Sequence, residues 1–90
     1  MGQTVIWFTR PQELGATLRA ARERQGFSLE ELGDQLHMTG SNIARIERGE
    51  RSAELAFVQD AARVLHCPRL TKLAVRDILA AAAEGPRDAI

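Results

Sequence analysis

The chain lacks most of the features that announce a catalyst, a secreted protein or a membrane protein. It has one cysteine, and Cys67 can close no internal disulfide; a lone thiol fits a reducing cytosol and supplies no metal-ligand cluster. Long hydrophobic runs are missing too. Val5-Ile6-Trp7-Phe8 is the apolar run near the start, far too short for a signal peptide or a membrane span, so a cytoplasmic location without a membrane partner is expected. There is no glycine-rich phosphate loop, His37 and His66 lie far apart, and the Ser, His and Asp residues lack the strand-turn-helix setting of a nucleophile. No enzyme, cofactor or metal is expected. Nor is there a charge excess of either sign. Twelve Lys and Arg balance twelve Asp and Glu, which gives no bulk attraction to polyanions and leaves any nucleic-acid footprint to where the arginines cluster.

Ninety residues make one small domain, with a core marginal enough that a dimer partner would help it. Its most ordered pattern runs from Ser28 to Gly49, SLEELGDQLHMTGSNIARIERG. Leu29, Leu32 and Leu36, then Ile43 and Ile46, recur with a period of about 3.6 residues, which predicts two short helices. Ser28 with Glu31 makes a reciprocal capping box for the first, Thr39 can cap the second, and Gly49 ends it. His37 and Met38 leave room only for a tight turn, so the pair reads as a helix-turn-helix.

Around that pair the chain divides into an extended arm at 1–8, a helix-turn-helix domain at 9–66, a C-terminal helix at 67–85 and a frayed tail at 86–90. The β-branched and aromatic residues of the arm favour an extended segment, which must pair either with its own domain or with a second copy or partner that takes up Trp7 and Phe8. Pro11, with a Thr9 to Gln12 box, starts a first helix that runs to about Gln25 and stops at Gly26; Leu14, Leu18 and Ala21 form its buried stripe. Arg22 shares that side, where a charge is costly unless paired.

A fourth helix is predicted from about Ala53 to Leu65, with Leu55, Val58, Ala62 and Leu65 on one face, Glu54 near the positive end of the dipole, and Phe57 off the stripe. The last helix starts at Pro68 and closes before Gly85-Pro86. Its apolar side, Leu70, Leu73, Ala74, Ile78, Ala81 and Ala82, either caps the bundle or pairs with its copy across a two-fold axis. Val5, Trp7, Phe8, Phe57, Leu70, Leu73 and Ile78 form the candidate dimer or partner surface.

Ser28, Glu31-Leu32-Gly33 and Ile43-Ala44-Arg45-Ile46-Glu47-Arg48-Gly49 resemble the helix-turn-helix of the XRE/Cro-like repressor family. That motif runs roughly as Ser/Thr, polar residues, Glu-Leu-Ala, then a helix ending Ile-x-x-Ile-Glu-x-Gly. The likeness extends from about Leu14 to Leu65 and implies an all-α, compact five-helix bundle of the lambda-repressor-like DNA-binding type. Three positions depart from the family pattern: Leu29 stands where a phosphate-bonding glutamine is common, His37 where the turn has glycine, and Gly33 where a small alanine is usual.

The resemblance also implies roles. Arg22 and Glu47 correspond to an ion pair tying the first helix to the recognition helix. Gly40, Ser41, Asn42 and Arg45 correspond to base-contacting positions, with Arg45 suited to guanine O6 and N7 and Asn42 to adenine N6 and N7. Ser28, Arg48 and Arg51 match places used for phosphate. The function expected is that of a sequence-specific double-stranded-DNA-binding regulator, a homodimeric repressor reading the major groove with its third helix. The alternative is an antitoxin or other protein-interaction module, whose main ligand is a toxin or another regulator and whose DNA binding is secondary or lost.

Overall fold

Helix boundaries follow from local chemistry. A computed structural model describes residues 5–6 and 11–84, with side chains from 12 to 79. It contains β1 (Val5–Ile6), α1 (Pro11–Arg24), α2 (Leu29–Leu36), α3 (Gly40–Glu47), β2 (Ala53–Glu54), α4 (Leu55–Val64) and α5 (Pro68–Glu84). At the start of α2 the amide of Glu31 donates to Ser28 Oγ at 3.0 Å and that of Ser28 to Glu31 Oε1 at 2.8 Å, a complete capping box. The amide of Asn42 donates to Thr39 Oγ1 at 3.2 Å and opens α3. The box expected at the start of α1 involves Thr9, which lies outside the described residues.

The ends of α1 to α4 share one device, a residue of positive φ just past the last turn. Gly26 and Gly49 serve α1 and α3 with φ of 81° and 75°, where the missing Cβ removes the steric penalty. After α2 and α4 the same place falls to His37 and His66, with φ of 57° and 52°. The reversal brings later amides back onto orphan carbonyls: Phe27 N–H donates to Arg22 O at 3.0 Å, and Cys67 N–H to Ala62 O at 2.8 Å.

The five helices form a compact all-α bundle in which α1 packs on α3 and α5, and α4 on α5 and α2. Leu14, Leu18 and Ala21 of α1 share a core with Leu32, Ile43 and Ile46 of the helix-turn-helix and with Val58, Ala61, Leu65, Leu70 and Ala74. Close approach requires glycine at two points. A Cβ on Gly15 would overlap the carbonyls of Ile46 and Glu47, and one on Gly33 would overlap the carbonyl of Met38. Gly33 therefore suits this turn better than the alanine of the family pattern, despite its poor helix propensity.

Several expectations need correcting. The fourth helix starts at Leu55 rather than Ala53, because Ala53 and Glu54 pair antiparallel with Ile6 and Val5. Those two residues of the arm thus fold onto their own chain; Trp7 and Phe8 lie outside the described residues. Leu70 and Leu73 are buried within the chain and cannot belong to a docking surface. Ile78 and Phe57 are partly buried against the same core, with Phe57 beside Leu14, Leu18, Val58, Ala61 and Leu70. The reason is that α5 packs against both α1 and α4, which consumes its apolar stripe internally. The large hydrophobics it exposes are instead Val75 (43%) and Leu79 (64%).

A polar seam also joins α5 to α1. Arg76 Nη1 lies 3.0 Å from Glu13 Oε1 and Arg69 Nη2 3.6 Å from Glu13 Oε2, while Asp77, buried beside them, takes Arg76 Nη2 at 3.2 Å.

Candidate nucleic-acid interface

Helix α3 has two unlike sides. Ile43 and Ile46 are buried against the bundle, and at about 100° per residue Ser41, Arg45 and Arg48 fall opposite them. Ser41 and Arg45 are exposed, whereas Gly40, Asn42 and Ala44 are half-buried. Gly40 has an internal reason to be glycine: a Cβ there would come within 3.2 Å of the Glu30 amide and Oε2, where the start of α3 meets the start of α2. Arg45 makes no ion pair within 4.0 Å among the described residues, and its side chain is exposed.

What holds α3 at this angle is a fork of charge-assisted bonds. Arg22 Nε donates to Glu47 Oε2 at 2.7 Å, Nη2 to Glu47 Oε1 at 3.1 Å, and Nη1 to the Phe27 carbonyl at 2.9 Å. One side chain thereby links α1, α3 and the segment leading into α2. The two side chains are only 11% and 6% exposed. Hydrogen bonding to Glu47 raises the Arg22 pKa above its ordinary value and outweighs the opposing effect of burial.

The three residues matched to phosphate contacts are all exposed. The Ser28 oxygen accepts the Glu31 amide, which leaves its O–H proton able to donate elsewhere. Arg51 has no ion-pair partner among the described residues. Arg48 is engaged: its Nε donates to Glu50 Oε2 at 2.9 Å and its Nη2 to Glu50 Oε1 at 3.1 Å. This bond raises the Arg48 pKa and holds the Glu50 carboxyl below its usual value, with the charge of Arg45 also favouring the ionised carboxylate. Acidic neighbours also include Glu30 and Glu31 in the first turn of α2.

Reasoning from sequence missed the pair of Arg48 with Glu50. A signal for it existed. Gly49 reverses the chain so that the Glu50 amide donates to the Arg45 carbonyl at 2.9 Å, which folds residue 50 back over the last turn of α3. Gly15 and Asp77 were also missed, the first because crossings do not show in one sequence; for the second a signal existed, since Asp77 falls three residues after Ala74 and four after Leu73, on the apolar stripe of α5.

Two short capped helices joined by a tight turn, the second presenting a polar edge and pinned from behind by an ion pair, define a helix-turn-helix unit. Residues 13–74 match the family model described as a helix-turn-helix domain, and the chain belongs to that family. It is 31% identical over 55 residues to a competence pilus inhibition repressor of Acinetobacter baylyi, an overlap covering 61% of this chain and 50% of that protein. It is 36% identical over 75 residues to an uncharacterized HTH-type transcriptional regulator of Sinorhizobium fredii, covering 78% of this chain and 38% of that one. The chain thus spans half or less of the curated relatives it matches. No solved structure matches it at comparable significance.

Proposed function

We propose that this chain binds double-stranded DNA in a sequence-dependent way and represses transcription as a homodimer. The observation that carries the proposal is the division of α3: buried isoleucines fix it, while Ser41, Asn42 and Arg45, which makes no ion pair among the described residues, face outward or lie at its edge. A helix so held can enter a major groove, with Arg45 forked onto guanine O6 and N7 and Asn42 directed to adenine or a phosphate. Ser28 and Arg51 then fix its register on the backbone. The relatives' names, a repressor and a transcriptional regulator, support the regulatory part of the reading.

For the dimer, Val75 and Leu79 replace the buried Leu70 and Leu73 as the residues we assign to a two-fold contact with a second copy. They lie one turn apart on the outer side of α5.

Binding of the chain to a duplex from its own upstream region, measured by fluorescence anisotropy at rising salt, tests the proposal. Affinity is expected to fall steeply with salt. Arg45→Ala is expected to relax preference at one base position by about 1–3 kcal/mol, and Arg51→Ala to weaken all sequences alike. Leu79→Glu is expected to shift the sedimenting species toward monomer. Equal weakening of every sequence by Arg45→Ala would refute the base-reading role.

A further inference from the structure

We propose that Glu50 is an internal phosphate mimic: it occupies Arg48 in the free protein and thereby limits the affinity and salt dependence of DNA binding. This rests on the DNA-binding reading above. Arg48 offers Glu50 two parallel donors, Nε to Oε2 at 2.9 Å and Nη2 to Oε1 at 3.1 Å, the same fork with which a guanidinium takes a phosphate. Arg48 cannot give the same donors to both. With side-chain exposures of 57% and 53%, the pair sits in solvent, where a phosphate can displace the carboxylate.

The carboxylate is held in place by the backbone. Gly49 takes φ of 75° and the Glu50 amide is anchored on the Arg45 carbonyl at 2.9 Å, so residue 50 is fixed beside the last turn of α3 before any ligand arrives. The charge of Arg45, the base-reading candidate, also favours the ionised form of this carboxylate. Docking α3 on a duplex therefore requires Arg48 to exchange a carboxylate for a phosphate, and it moves a fixed negative charge toward the DNA backbone. Glu54 supplies an internal comparison, a carboxylate four residues on at the start of α4 that is not bonded to Arg48.

The test measures affinity of the full chain for a short random-sequence duplex and for its upstream duplex, across a salt series. Glu50→Gln is expected to tighten both by about two- to fivefold, the scale of an exposed ion pair. Removing the carboxylate that offsets Arg48 is also expected to steepen the slope of log K against log salt by up to about 0.9, the value for one neutralised phosphate. In an Arg48→Ala background the gain from Glu50→Gln should fall to that of Glu54→Gln, and the Glu54→Gln gain should be the same with or without Arg48. Unchanged melting temperatures for these substitutions confine the effect to binding.

If the wild-type chain binds duplex and Glu50→Gln changes neither affinity nor slope, the inference is overturned while the DNA-binding reading stands. A gain that persists in full without Arg48 also overturns it, since Glu50 would then act only as bulk negative charge. If neither wild type nor Glu50→Gln binds duplex at low salt, both fall together.

Discussion

Two arginine–glutamate forks flank the end of α3, chemically alike and physically opposite. Arg22 and Glu47 meet across the α1–α3 crossing with side chains 11% and 6% exposed, whereas Arg48 and Glu50 meet across a glycine turn with 57% and 53% exposed. In the first, water cannot take over when a partner is lost, so the pair behaves as scaffold. In the second, water, salt or phosphate can replace either partner at small cost, so the pair can be exchanged. Burial, rather than bond length, separates the fork that fixes α3 from the fork that can yield to a ligand.

The sharpest way to break that comparison is to remove one carboxylate from each. Glu47→Ala strands Arg22 and is expected to lower stability by about 3–5 kcal/mol, read by thermal or urea unfolding. Replacing both partners by apolar residues, Arg22→Met with Glu47→Leu, should recover most of that loss, since no buried charge is left unpaired. Glu50→Ala should leave the melting temperature unchanged.

Next in size is the close approach of α2 to the turn that leads into α3. Gly33→Ala should destabilise by about 1–3 kcal/mol despite alanine's better helix propensity, because the added methyl meets the Met38 carbonyl. Smaller, and of opposite sign, is relief of the left-handed histidines: His37→Gly and His66→Gly should each stabilise by about 0.5–1 kcal/mol in the same unfolding assay.

Acid should distinguish the exposed fork through its chemical state. The folded Glu50 carboxyl is held below its ordinary pKa, so whatever the pair contributes is present above the ordinary carboxylate value and is lost as pH falls through the lowered one. An NMR titration should find the Glu50 midpoint below that of an unperturbed glutamate. In Arg48→Ala it should move back up.

How far the sequence alone was readable depended on distance along the chain. Caps at Ser28 and Thr39, the turn at His37 and the stop at Gly49 are made by residues within a few places of one another, and their pattern is visible without a structure. Arg22 and Glu47 are 25 residues apart, and only resemblance to a known family could suggest joining them. The sequence places Ala53 in a helix because a two-residue strand has no signature of its own; its partner Ile6 lies in the arm. On α5, apolar residues occur on more than one side. Periodicity alone could not tell that Leu70 and Leu73 would be consumed by α1 and α4 while Val75 and Leu79 stayed outside. The Arg48 and Glu50 contact escaped because helical spacing rules stop applying once Gly49 turns the chain.

The most direct test of the central claim is to follow backbone amide signals of the full chain while adding duplex DNA from its upstream region. The largest shifts are expected at Thr39 to Arg45 and at Arg48 to Arg51, with Ile43 and Ile46 remaining protected from exchange throughout. Shifts concentrated instead on the outer side of α5, with Ser41 and Arg45 unmoved, would contradict it.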